Sequence, residues 1–113
     1  MSFLDTTAVR HFDADSLRKT PLFQTEHLFC DLYGLEPGQS QKLHAHAGAT
    51  KFYFVLEGRP RITVAGEARE VPPGGLAFAG PGEPHGVDNP GGERAVLLVA
   101  MAPNPNRPAS GRS

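Results

Sequence analysis

The chain has 113 residues, of which 39% are apolar, and its eleven Lys and Arg nearly balance its twelve Asp and Glu. This length and composition predict one folded domain, and the balanced charge excludes an electrostatic footprint for nucleic acid or an anionic membrane surface. The 13 Gly and 11 Pro exclude a helical bundle, because both residues are unfavourable inside helices.

Residues 1–24 are predicted to be an N-terminal extension. Within it, residues 15–19 could form one short helical turn before Pro21, since proline biases the preceding residue towards extended backbone. The extension lacks the basic and apolar regions of a signal peptide, and no apolar run approaches the roughly 20 residues of a membrane span. The single cysteine, Cys30, excludes an intrachain disulfide. These features favour a cytoplasmic protein.

From residue 25 onwards, short β-rich segments alternate with glycine and proline turns. A turn signal recurs every six to ten residues, which is typical of an all-β sandwich or barrel. The sequence predicts a barrel over residues 25–102 and a disordered tail over 103–113. Seven or eight strands are expected, at about residues 26–35, 41–46, 51–56, 61–65, 68–71, 76–79, 85–88 and 94–101.

Three histidines stand out in this pattern. His44 and His46 are two residues apart, and residues i and i+2 of a strand share one face, so both imidazoles could reach one metal ion. Alone, such a pair more often has ordinary hydrogen-bonding roles. His85 follows Pro84, and by itself it is more typical of a loop or a strand end than of a metal ligand.

Both signals lie within longer spaced patterns that resemble the two motifs of the cupin superfamily. The first is Gly38-(x)5-His44-x-His46-(x)4-Lys51-(x)6-Gly58, and the second is Gly74-(x)5-Gly80-x-Gly82-(x)2-His85-(x)3-Asn89. In the second, Gly80 stands where proline is usual. The flanking strands extend the resemblance to about residues 25–102. It implies an all-β, single-domain jelly-roll barrel, the double-stranded β-helix of cupins.

Carried over by position, the resemblance implies that His44, His46 and His85 ligate a divalent transition metal. Ligand type does not choose among zinc, iron, manganese and nickel. The fourth ligand of the family is a glutamate, and this chain has Lys51 at that position. Lysine has no carboxylate and its charge repels a cation, so no ligand role is assigned to it.

Three interpretations of Lys51 stay open. In the first, the metal binds three histidines and water while Lys51 leans away or meets an anionic group of the substrate. In the second, the site is metal-free and the histidines form a polar cluster for an organic ligand. In the third, Lys51 is desolvated, has a depressed pKa and acts as a base or nucleophile. The first is favoured.

The strand at 51–56 has two distinct faces. With Lys51 and Tyr53 inward, both become candidate catalytic residues, although a core tyrosine whose hydroxyl reaches solvent is slightly preferred for Tyr53. Val55 and Phe78 are expected to line the pocket with Tyr53. The outward side chains Phe52, Phe54 and Leu56 are too apolar for bare solvent. A homodimer is therefore favoured, with a cover formed by Phe3, Phe12 and Phe23 as the alternative.

The predicted function is that of a small metal-binding cupin with a pocket for a small organic ligand. Oxygenase, isomerase and hydrolase chemistry are all open, as is whether the protein is an enzyme, because the fold does not choose among them. The alternatives are a metal-free binding or sensor cupin and a structural dimer with a vestigial site. No GxGxxG loop opens a helix, so no nucleotide cofactor is predicted. Asn89 is interpreted as a turn residue before Pro90.

Overall fold

The computed structural model describes residues 2–106, in which nine strands form two antiparallel sheets. The first sheet has the order β1-β2-β9-β4-β7 and the second the order β3-β8-β5-β6. This two-sheet barrel confirms the predicted jelly-roll fold. The strands are β1 (Arg18–Gln24), β2 (Phe29–Leu35), β3 (Ser40–His44), β4 (Thr50–Glu57), β5 (Arg61–Val64), β6 (Glu67–Glu70), β7 (Leu76–Ala79), β8 (His85–Asp88) and β9 (Ala95–Ala102).

The core lies between the two sheets and follows from the alternation of side chains along each strand. In β4, Lys51, Tyr53 and Val55 are buried, and the residues between them are partly exposed. Residues from both sheets complete the core. The buried cluster consists of Tyr33, Leu35, Tyr53, Val55, Ile62, Val87, Ala95, Leu97 and Val99.

The N-terminal region differs from the prediction. The expected helical turn at residues 15–19 is wrong, because β1 begins at Arg18 and pairs with β2. Pro21 is compatible with this strand because β1 lies at the edge of its sheet, where a missing N–H costs little. Strand β1 falls inside the predicted extension 1–24, so the sheet begins before residue 25. The division into an extension and a 25–102 barrel domain itself stays a prediction.

The N-terminal segment covers part of the outer face of the five-stranded sheet. A side chain at Gly34 would clash with the backbone of His11 and touch Phe12, so the N-terminal segment packs directly on the sheet there. Of the other two predicted cover residues, Phe3 is 88% exposed and Phe23 is half exposed. At the β7 edge, Phe78 is 66% exposed. Apolar surface therefore remains on this face.

The first residues of the predicted tail are held against the sheet. Asn104 is buried, and its side-chain amide donates hydrogen bonds to the Gln24 side chain and to the Thr25 carbonyl. This contact places Pro105 and Asn106 beside the first sheet. The remainder of the predicted tail, residues 107–113, lies outside the described residues.

Candidate metal centre

The three predicted histidines come together at one end of the barrel. One ring nitrogen of each lies within 4.8 Å of the others. The ring centroid of His44 is 4.9 Å from that of His46 and 4.4 Å from that of His85. Nitrogens that share one ion at about 2.1 Å lie roughly 3–4 Å apart, so this spacing is close to that of a ligand set. The cluster could hold a metal ion.

Two of the histidines are positioned by the pairing of β3 with β8. His44 is directly opposite His85 in this pair, after an irregularity between Gln41 and His44. A side chain at Gly86 would come within 2.8 Å of the Gln41 carbonyl. Glycine at this position therefore lets the irregular stretch of β3 approach β8 closely, which keeps the two imidazoles next to each other.

His46 reaches the cluster by a different route from the one predicted. Strand β3 ends at His44, so strand alternation does not place His46. Instead, the His46 carbonyl accepts a hydrogen bond from the backbone N–H of Gly82. Gly82 has a φ of +79°, a conformation that glycine adopts without strain. The turn before β8 therefore fixes the loop that carries His46.

The hydrogen bonds of the rings leave acceptor nitrogens inside the cluster. Nδ1 of His44 lies 2.8 Å from the Lys42 carbonyl, and Nδ1 of His85 lies 2.9 Å from the Glu83 carbonyl. A carbonyl only accepts, so both Nδ1 atoms donate and the Nε2 atom of each neutral ring is an acceptor, which in His44 faces Nζ of Lys51. Nε2 of His85 is buried and has no hydrogen-bond partner among residues 2–106. Such a group is costly unless something binds it.

The surroundings favour neutral imidazoles. Burial is the main cause that lowers the pKa of His85, and the charge of Lys51 lowers it further, against a hydrogen bond to Glu83 that raises it. Burial also lowers the pKa of His46, with contributions from His44 and Lys51. Because a metal binds the deprotonated ring nitrogen, these environments keep the rings in the form that binds a metal.

Lys51 points towards the histidines and does not lean away from them. Its side chain is buried, with Nζ 3.4 Å from Nε2 of His44 and 3.4 Å from Oε1 of Gln41. Nζ also lies 5.1 Å from the centre of the Tyr53 ring. Burial lowers the pKa of Lys51 to about 8, with a further contribution from Lys19. At neutral pH the site therefore contains an ammonium group beside the cluster.

Tyr53 lies behind the cluster and not in the cleft. The residue is 0% exposed, and its hydroxyl donates a 2.8 Å hydrogen bond to Oε1 of Gln41. Burial raises the pKa of Tyr53. Gln41 also donates to the Tyr33 hydroxyl, so its amide connects both tyrosines with Lys51. No motif marks Gln41; its only signal in the sequence is that it lies on the strand of His44.

The cluster opens into a cleft of about 410 Å³. Within residues 2–106, three lysines and no carboxylate line it; the lining residues are Lys19, Phe29, Tyr33, Gln41, Lys42, His44, His46, Lys51, Met101, Pro105 and Asn106. The expectation that Phe78 lines this pocket is wrong, because alternation along β7 points its side chain to the outer face. Val55 lies in the core instead.

Comparison with known proteins agrees with this geometry. The family described as the cupin domain matches residues 31–101. An oxalate-binding protein of Thermotoga maritima is 31% identical over 88 residues, which are 78% of this chain and 72% of that protein. The uncharacterised protein MJ1618 of Methanocaldococcus jannaschii is 32% identical over 66 residues, or 58% of this chain, and the chain spans about half of that relative (53%).

Among solved structures, TT1209 from Thermus thermophilus superposes with a TM-score of 0.90 and 42% identity. The match covers 93% of this chain and all of that chain. Within residues 2–106, no helix has the length and hydropathy that crossing a membrane would require.

Proposed function

The chain belongs to the cupin domain family, and from that membership we propose that His44, His46 and His85 hold a divalent transition-metal ion that faces a small organic ligand. The observation that carries the proposal is the buried Nε2 of His85, which has a free lone pair and no partner among the described residues. Zinc, iron, manganese and nickel all accept imidazole ligands.

A metal held by three neutral imidazoles keeps its full dicationic charge, with which it polarises carbonyl groups and acidifies bound water. The chain supplies the support for this chemistry. The carbonyls of Lys42 and Glu83 fix the tautomers and orientations of His44 and His85. Of the two candidate catalytic residues, we favour Lys51, because it lines the cleft whereas Tyr53 lies behind it.

Two observations support a small organic ligand. The cleft, at about 410 Å³, falls in the size range of sites for small molecules. The name of the Thermotoga relative, which describes it as oxalate-binding, supports the same class of ligand for this chain. The reaction, if the protein is an enzyme, is of the oxygenase, isomerase or hydrolase type.

Elemental analysis of untagged protein tests the metal proposal. We expect about one transition-metal ion per chain, and its loss in a His44→Ala/His46→Ala variant. A His11→Ala/His27→Ala variant is the matched control, because it removes two histidines that lie outside both motifs. Metal content unaffected by the first variant, or lost equally in both, contradicts the proposal.

One observation favours the metal-free alternative, a non-catalytic binding or sensor cupin. The ammonium of Lys51 lies 3.4 Å from the His44 lone pair that a metal would need. In that case the protein, kept in EDTA, gains thermal stability with members of a panel of small organic molecules, because a ligand of the folded state raises stability. A gain that requires metal supports the metal proposal instead.

We also propose a homodimer in the reducing cytosol. Its support is the apolar surface at the β7 edge, where Leu76 and Phe78 are more than half exposed and lie opposite Phe54 and Phe52. Light scattering should give twice the 12.1 kDa chain mass, and Phe78→Lys should give the monomer. A wild-type monomer at micromolar concentration contradicts it. The single buried Cys30 supports the reducing compartment.

A further inference from the structure

The charged side chains that line the cleft in the described part of the chain are all positive. Lys19, Lys42 and Lys51 all line it, whereas no Asp or Glu is among its lining residues within the described chain. The carboxylate of Asp31 interacts electrostatically with Lys19 and Lys51, yet it does not line the cleft. A ligand that enters the cleft therefore meets positive charge before any metal is considered.

Lys51 and a metal ion would compete for the same nitrogen lone pair of His44. The Nζ atom lies 3.4 Å from Nε2 of His44, the same lone pair that a metal in the three-histidine cluster uses. A metal ion bound at that lone pair would be a close neighbour of the buried ammonium, and the two cations would repel each other because little water lies between them to screen the charge. Lys51 thus weakens metal binding in the empty cleft.

We propose that Lys51 forms an anion subsite beside the three-histidine metal, and that metal and a carboxylate ligand bind cooperatively. This inference rests on the proposed metal function. One carboxylate oxygen would meet the metal and the other would accept a hydrogen bond from Nζ, which has one of its three donors left after its weak contacts to His44 and Gln41. The negative charge between the two cations removes their repulsion.

Thermodynamic linkage makes this coupling reciprocal. If the carboxylate tightens the metal by some factor, the metal tightens the carboxylate by the same factor. Couplings between two ligands of one protein commonly reach about 5- to 150-fold. With a buried ammonium next to the metal, we expect about a tenfold effect for a monocarboxylate.

The experiment is a titration of the metal-free protein with Co²⁺, followed by the visible absorption of the bound ion. It is run with saturating acetate, with acetamide as the uncharged analogue of the same shape, and with neither, at constant ionic strength. Acetate is suitable because it binds Co²⁺ only weakly in solution. We expect acetate, but not acetamide, to lower the Co²⁺ dissociation constant about tenfold.

Two variants test whether the effect of acetate on Co²⁺ binding depends on Lys51. Lys51→Met removes the charge and keeps an unbranched side chain, so we expect tighter Co²⁺ binding without acetate and an acetate effect below about twofold. Arg69→Met is the matched control, because it removes an exposed cation of β6 that does not line the cleft; its acetate effect should be retained. If Lys51→Met is poorly folded by circular dichroism, Lys51→Gln replaces it.

The outcomes separate this inference from the metal proposal. If the wild type binds no Co²⁺, with acetate or without it, both the metal proposal and the coupling are overturned. Co²⁺ binding that depends on His44 and His46 but does not respond to acetate overturns the coupling alone. An acetate effect of equal size in wild type and in Lys51→Met also overturns it, because the anion would then act without Lys51.

Discussion

Each end of β8 carries a buried polar side chain, and the two side chains differ in whether they are hydrogen-bonded. His85 begins the strand and Asn89 follows it, and each is 2% exposed. The side-chain amide of Asn89 donates to the Leu35 carbonyl at 3.2 Å and to the Glu93 carbonyl at 2.8 Å. Nε2 of His85, by contrast, has no partner among the described residues.

The contrast shows that burial alone does not separate a structural residue from a functional one. Nearly all buried polar groups are hydrogen-bonded, so an unsatisfied one calls for an explanation. Asn89 ties a turn to the end of β2 and is explained by the fold. His85 has no such explanation among residues 2–106, and a bound metal ion would supply one. Substitutions at the two ends should therefore have different effects on stability and on metal binding.

The largest effect is expected at the His85 end. His85→Ala removes one of three ligands, so affinity for Zn²⁺ should fall by at least about 100-fold, since even a residue that only orients a ligand can be worth 10–100-fold. Competition with a chromophoric chelator measures this affinity. An affinity within about threefold of the wild type would mean that His85 does not bind the ion.

At the other end of β8, Asn89→Ala should destabilise the fold and leave the affinity for Zn²⁺ unchanged. The substitution removes the amide that donates to the Leu35 carbonyl in the interior and to the part-buried Glu93 carbonyl, which costs about 1–3 kcal/mol in the free energy of unfolding. Urea titration measures the loss. The comparison fails if stability is unchanged, or if the folded variant binds Zn²⁺ as weakly as His85→Ala.

A smaller effect is expected behind the cluster. Tyr53→Phe removes one hydroxyl that donates to Gln41, and a single buried hydrogen bond contributes about 1 kcal/mol. Urea titration should show this loss, while metal affinity stays within about twofold. A loss of metal binding in this variant would instead give Tyr53 a direct role in the site.

The smallest effect concerns pH. The pKa values of His46 and His85 lie below the ordinary 6.5 in the folded protein, so the unfolded chain binds more protons as the pH falls through 6.5. The free energy of unfolding of metal-free protein should therefore decrease from about pH 7.5 to about pH 5. Lys51, with a pKa of about 8, stays protonated across most of this range and adds little.

The pH prediction has its own control. In His85→Gln the decrease should be shallower, because one of the two neutral imidazoles is gone. An identical slope in the variant and the wild type would show that His85 is not held neutral in the fold.

The sequence was informative where spacing alone decides the structure. Turn signals separated most strands, and the resemblance to cupins implied that His44 and His85 meet, which the structure explains by their opposite positions in the β3–β8 pair. It could not predict β1, because this edge strand is defined by its pairing with β2, which a local pattern does not show. The expected helical turn at residues 15–19 failed for this reason.

The details of the site depended on long-range contacts. His46 is held by Gly82, which is distant in the chain, and the direction of Lys51 depends on Gln41 and His44 on another strand. Asn89 was interpreted as a turn residue, and its buried amide became evident only from the carbonyl of Leu35, far away in the chain. Local pattern cannot supply such pairings, because they are set by packing.

The most direct test of the central claim is an anomalous difference map from crystals of the purified protein, recorded at the absorption edge of the metal that elemental analysis identifies. The account predicts one peak about 2.1 Å from a ring nitrogen of each of His44, His46 and His85. A metal peak elsewhere in the molecule, or no peak with Nζ of Lys51 at the point where the three rings meet, would contradict it.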